Sequence, residues 1–136
     1  MNDDIEATHA VQRVMSPGAL WVDDDATLRS IATMLAEGRI GVAFVKRPDG
    51  SAGIVSERDI VRLLAEGADV DAVVASDVAQ FPLVTVPVDE RIGDAARRMV
   101  MEDVRHLAVI DGSEIVGVVS ARDLLPVLAD EVTSAW

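Results

Sequence analysis

The sequence predicts a mixed α/β (α+β) fold, built as two pseudo-twofold β-α-β-β-α repeats packed sheet to sheet. Three observations predict it. Residues 14–65 lie over residues 78–129 without a gap, pairing Val14 with Val78, Val22 with Val86, Asp25 with Asp89, Ala32 with Ala96 and Val45 with Val109. The stretch "GIVSERDIV" (53–61) returns as "GVVSARDLL" (117–125), and five of the seven positions from Gly53 to Asp59 are identical in the second copy. In both copies short apolar runs alternate with segments of helical i, i+3, i+4 spacing.

The elements follow in order. Residues 1–9 read as an N-terminal tail, 10–67 as the first repeat, 68–131 as the second and 132–136 as a C-terminal tail. Each repeat opens with a short extended run, "ALWV" (19–22) or "LVTV" (83–86). Asp25 and Asp89 then stand as N-cap residues before amphipathic helices carrying Leu28, Ile31, Ala32 and Leu35, or Ile92, Ala95, Ala96, Met99 and Val100. Two apolar runs come next, "VAFV" and "AGIVS" around Pro-Asp-Gly, and "LAVI" and "IVGVVS" around Asp-Gly, which is turn chemistry. A second helix starts after Ser56 and again after Ser120. The stretch 67–77 links the copies and contains a short helix, with Val11–Met15 as its counterpart. A unit of about sixty residues is marginal alone, so the two repeats are expected to bury their sheets against each other.

Composition narrows the function. Aromatic residues make up 3% of the 136, so the core must be Val, Ile, Leu, Ala and Met. The absence of cysteine removes disulfides, thiol catalysis and cysteine-ligated zinc, and fits a reducing compartment. A formal net charge of -12 with a single lysine, Lys46, argues against nucleic acid and against an acidic membrane surface. No apolar stretch approaches the ~18 residues of a spanning helix. The expectation is a cytoplasmic protein.

The repeated Ser-x-Arg-Asp invites two readings. Ser followed three residues on by an acid, ahead of an apolar-periodic run, is a capping box, with Asp59 and Asp123 reaching back to the N-cap N–H. Yet Glu or Gln suits that reach better, and an Arg at the helix start (Arg58, Arg122) is mildly unfavourable against the dipole. A Ser hydroxyl, unpaired helix N–H groups and an Arg suit a phosphate, while a carboxylate one turn in can accept two hydrogen bonds from a ribose diol.

These two motifs resemble the C-terminal signature of the cystathionine-β-synthase (CBS) domain. The upstream "VMSPGALWV" and "VAQFPLVTV" follow that family's course as well, and the likeness covers roughly residues 10–130. Two in tandem resemble a CBS pair, or Bateman module. The resemblance implies adenosine recognition in the cleft between the repeats, with no catalytic residue, no metal and no obligatory cofactor. The Asp accepts from the ribose hydroxyls and the Ser sits by the phosphates, which assigns Ser56 with Asp59 and Ser120 with Asp123. The base lies against the first strand of a repeat, at Pro82, Leu83 and Val84 for the Asp59 site and at Gly18, Ala19 and Leu20 for the Asp123 site.

The two sites are not expected to be equal. Repeat two carries Arg105 and His106 where repeat one has Gly41 and Val42. In the family this position faces the phosphates of the other copy's site. Arg105, His106 and Arg122 are therefore assigned to the Asp59 site, and Arg58 alone to the Asp123 site. Charge-assisted contacts contribute about 1.5–3 kcal/mol each, so two missing ones separate the sites by roughly tens- to thousands-fold. A solvated strand end is the plainer account of Arg105 and His106. Ala108, where the family often has Pro, bears on strand rigidity. Trp21 is a candidate for stacking on a base, against the simpler reading of partial exposure, and Trp136 is the second tryptophan. The Asp23–Asp25 run lacks the glycine and distant Glu of a calcium loop.

The leading expectation is a stand-alone regulatory module that binds AMP, ADP, ATP or S-adenosylmethionine, forms a homodimer and signals to a separate chain. A ligand-free dimerisation adaptor is the alternative, and a small nucleotide hydrolase a remote one.

Overall fold

The computed structural model describes residues 5–134; residues 1–4 and 135–136 of the two expected tails, with Trp136, lie outside the described residues. In chain order a 3₁₀ turn (Val11–Arg13) precedes β1 (Ser16–Pro17), β2 (Trp21–Asp23), α1 (Leu28–Gly38), β3 (Val42–Lys46), β4 (Ala52–Ser56), α2 (Glu57–Ala65) and α3 (Ala75–Val78). The second copy continues with β5 (Thr85–Pro87), α4 (Ile92–Glu102), β6 (His106–Asp111), β7 (Glu114–Ser120) and α5 (Ala121–Ser134). The doubled β-α-β-β-α order is present. No described helix is long and apolar enough to cross a membrane.

The chain divides into two compact units, residues 20–83 and residues 1–19 with 84–136. In the 20–83 unit the sheet order is β2-β3-β4, with β2 parallel to β3 and β3 antiparallel to β4. Its core joins Val22, Leu28, Ile31, Leu35, Ala43, Val45, Val55, Ile60 and Ala75. In the other unit the order is β1-β7-β6-β5, around Val11, Val86, Ile92, Ala95, Met99, Leu107, Val109, Val119, Leu124 and Val127. Both cores are the aliphatic set that the composition demanded.

The units do not follow the repeats, because each repeat lends its leading segment to the other. Ahead of repeat two, Ala75 N–H donates to Ala26 O (2.8 Å) and Ser76 N–H to Asp24 O (2.9 Å). Ahead of repeat one, Val11 N–H donates to Glu90 O (2.8 Å) and Gln12 N–H to Val88 O (3.3 Å). The same exchange starts the helices. Leu28 and Arg29 N–H donate to Val73 and Val70 O, and Ile92 and Gly93 N–H donate to His9 and Ala7 O. The described part of the N-terminal stretch, residues 5–9, is thus bound to the tip of α4.

The helix starts differ from expectation. Asp25 and Asp89 are not the N-caps; Thr27 caps α1, its hydroxyl accepting from Ser30 N–H at 3.2 Å, and Arg91 precedes α4 without a side-chain cap. The borrowed carbonyls already satisfy the first donors of each helix, so a carboxylate cap is not required there. The leading strands are also shorter than "ALWV" and "LVTV", since pairing begins only at Trp21 and Thr85.

Candidate functional site

Ser56 closes β4 and opens α2, a change of direction set by its extended backbone (φ -110, ψ 160). Its N–H and its hydroxyl both donate to Asp59 Oδ2 at 2.9 Å, and Asp59 N–H donates to Ser56 Oγ at 3.2 Å. This is a complete capping box. It uses one carboxylate oxygen; the other, Oδ1, lies 3.6 Å from Arg62 Nη2, and the Asp59 side chain is 17% exposed. Next to the box, Glu57 N–H donates to Gly41 O at 2.8 Å, and Arg58 is exposed. A groove of about 390 Å³ opens beside this tip, among Leu35, Arg39, Gly41, Glu57 and Ile60.

The second tip repeats the first. Ser120 N–H donates to Asp123 Oδ2 at 2.8 Å, and Asp123 N–H donates to Ser120 Oγ at 3.2 Å. Asp123 has no ion pair among the described residues. Here the strand end beside the tip carries charge. Ala121 N–H donates to Arg105 O at 2.8 Å, and His106 stands opposite Ser120 in the β6–β7 register. Arg105 and Arg122 are exposed and His106 is half-buried. Within this unit the structure thus brings Arg105 and His106 to the Ser120 tip. Their assignment to the ligand of Asp59 joins residues of different units and rests on the sequence resemblance.

The proposed base-facing segments run beside the strands that end in these tips. In the 20–83 unit Gln80 N–H donates to Ile54 O (2.9 Å), Ile54 N–H to Gln80 O (3.1 Å) and Leu83 N–H to Ala52 O (2.9 Å). Pro82 is exposed and Leu83 half-buried. In the other unit Ser16 and Pro17 pair with Val118 and Gly117, and Gly18 N–H donates to Val116 O at 2.8 Å. Gly18 corresponds to Pro82, which has no N–H, so Leu83 donates instead. Ala19 and Leu20, like Leu83 and Val84, fall where the chain leaves one sheet for the other. Leu20 O accepts from Phe44 N–H (2.7 Å), and Val84 O accepts from Ala108 N–H (2.9 Å).

The glycine that opens each motif has a physical reason in this packing. A Cβ on Gly53 would stand 2.6 Å from Gln80 O and 2.8 Å from the Phe81 ring, and one on Gly117 would stand 2.6 Å from Ser16 O. The leading segments need that bare strand surface to come close.

Two residues that the sequence did not single out also belong here. The Arg47 guanidinium lies 3.5 Å over the Phe81 ring centroid, and its Nη2 donates to Ser76 O at 3.4 Å. Trp21 is 41% exposed and packs its ring 5.4 Å from that of Phe44, on the paired strand. Among the described residues no group of His, Asp and Glu is placed to hold a metal ion.

Comparison with known proteins gives a consistent result. The model of the CBS domain matches residues 11–66 and 75–130. An uncharacterised protein of Methanopyrus kandleri, MK0525, is 34% identical over 104 residues, 74% of this chain and 53% of that protein. The chain spans about half or less of the length of the first curated relatives it matches. Among solved structures, the CBS domain protein PAE2072 from Pyrobaculum aerophilum, complexed with AMP, is 31% identical with a TM-score of 0.73, covering 91% of this chain and 98% of that one. The CBS domain pair of MJ0100, in complex with 5'-methylthioadenosine and S-adenosyl-L-methionine, has a TM-score of 0.72 at 18% identity, covering 90% and 97%, and shares the fold.

Proposed function

Since the chain belongs to the CBS-domain family and carries two copies of that domain, we propose that it is a regulatory module that binds an adenosine compound and relays binding to a separate chain. The candidates are AMP, ADP, ATP and S-adenosylmethionine, and the module acts by binding, without catalysis. The observation that carries the reading is the AMP complex of the 31%-identical Pyrobaculum protein, which aligns over nearly the whole chain.

The capping geometry supports a particular choice of atoms. Each capping box employs Oδ2 of its aspartate, so the ribose duty falls on Oδ1 of Asp59 and of Asp123. The backbone of Pro82–Leu83, or of Gly18–Ala19, runs beside the strand that ends in the matching Ser. Base recognition there relies on main-chain groups. Arg58 and Ser120 serve the Asp123 ligand; Arg105, His106 and Arg122 are assigned to the phosphate of the Asp59 ligand on the sequence resemblance. The exposed apolar side chains of Val61 and Leu64 on α2, and of Val100, Met101 and Leu125 on α4 and α5, support a homodimer formed through helices.

A second reading has its own observation. The completed capping boxes give Ser56, Asp59, Ser120 and Asp123 structural work that needs no ligand, as a dimerisation adaptor would. Calorimetric titration with AMP, ATP and S-adenosylmethionine separates the two. The regulatory reading expects a micromolar-class site that Asp59→Ala removes and Asp123→Ala leaves in place. No heat with any of the three at millimolar concentration leaves the adaptor standing. Native mass spectrometry of the same samples counts subunits and bound ligand together.

A further inference from the structure

The two leading segments lie on equivalent strands but are not held equally. In the 20–83 unit the Phe81 ring lies close against the bare face of Gly53. The Arg47 guanidinium covers the ring at 3.5 Å, and Arg47 is anchored from the hairpin side, where its N–H donates to Ser51 O at 2.9 Å and its carbonyl accepts from Gly50 N–H at 2.9 Å. A further bond to Ser76 O ties the same side chain to α3, just ahead of the segment. The Gln80–Leu83 segment is therefore fastened by main-chain bonds to β4 and, through the ring, by a cation–π contact.

In the other unit the same places are filled differently. Asp111 stands where Arg47 does, Pro17 where Phe81 does and Gln12 where Ser76 does. A carboxylate and a proline make no such contact. Gly117 still admits the segment closely, with the Met15 thioether against its bare face in place of a ring, but Ser16–Gly18 has main-chain bonds and no ring clamp under a cation.

We propose that Arg47 is a positioning residue for the ligand of Asp59: through Phe81 it holds the Gln80–Leu83 segment in the geometry that receives the base. The proposal rests on the adenosine reading above. It makes the Asp59 site the pre-formed one by a route independent of phosphate charge. A wall already ordered before binding loses less freedom when the ligand arrives, and affinity rises by that difference.

The test uses the full chain and AMP as the probe, with Arg47→Gln, Phe81→Leu, the double variant and Arg47→Lys, each first checked for an unchanged circular dichroism spectrum. Arg47→Gln and Phe81→Leu should each weaken the tighter binding step by about three- to tenfold. The double variant should be no weaker than the worse single one. Arg47→Lys, which keeps a cation over the ring, should recover most of the loss, and the weaker step should not move. Amide hydrogen exchange at Phe81 and Leu83 should quicken in Arg47→Gln without ligand. Wild-type affinity in Arg47→Gln, equal weakening of both steps, or failure of Arg47→Lys to rescue overturns the proposal. If wild-type protein takes up none of AMP, ATP and S-adenosylmethionine, the functional reading falls and the ligand part of this proposal with it; exchange at Phe81 and Leu83 still decides whether the clamp exists.

Discussion

Asp59 and Asp123 each have two oxygens and two employments. Oδ2 closes a capping box on the main chain of Ser56 or Ser120, and under the proposed function Oδ1 would meet the diol. An N-cap contact contributes about 1 kcal/mol. The aspartate therefore has structural work whether or not a ligand is bound, and only a loss of binding would separate the roles. Asp59→Ala will show both effects, a lower melting temperature and a lost ligand. Elsewhere two residues are plainly suboptimal. Arg39 and Asp103, the C-caps of α1 and α4, occupy the left-handed region at φ 52 and φ 54. Glycine suits that conformation and an L side chain is disfavoured there by about 1 kcal/mol. Asp103→Gly is expected to raise the thermal midpoint by a few degrees, read by differential scanning calorimetry.

At the scale of the element, the leading segments decide how strands and helices are completed. Gly53→Ala and Gly117→Ala place a methyl group against main-chain oxygen in the facing segment. Each should cost about 1–3 kcal/mol, measured by urea unfolding, with Gly53→Ala also disturbing Phe81. Legibility divides along the same line. The capping boxes were readable because Ser56–Asp59 and Ser120–Asp123 are three residues apart, and local spacing is what a sequence displays. The strand–helix order was readable from periodicity. The true helix starts were not. Asp25 and Asp89 looked like caps, whereas Leu28 and Ile92 draw their partners from Val73 and His9, far along the chain. Arg47 and Phe81 carry no local signal for the same reason, since they stand 34 residues apart and nothing in the sequence between them links a hairpin arginine to a phenylalanine. What could have flagged them is the break in the repeat at those positions, where Asp111 and Pro17 interrupt the match.

For the molecule as a whole, acidity sets the solution behaviour. A net charge of -12 makes copies repel one another, so a dimer formed through apolar helix faces would be sensitive to salt. One exposed pair works against acid. The side-chain hydrogen bond from Arg29, aided by its charge, holds the Asp71 carboxyl below the usual aspartate range. Arg29 Nε and Nη2 reach its two oxygens at 2.7 and 3.1 Å, joining α1 to the linker ahead of α3. A lowered folded value means that the stabilisation is complete above the ordinary aspartate pKa, near ~3.9, and is lost as pH falls through the folded value. Asp71→Asn should lower the melting temperature slightly at pH 7, and the gap between variant and wild type should close as pH falls through the folded value.

The borrowed leading segments carry a consequence for ancestry. A solitary half, translated without its twin, would present β4 or β7 with a vacant neighbour and a helix whose first amides point at water. Two such halves repair each other by reciprocal loan, one giving its leader to the other and receiving one back. A chain encoding a single copy would therefore have reason to associate with a second, and joining two copies in one chain makes such a partnership permanent.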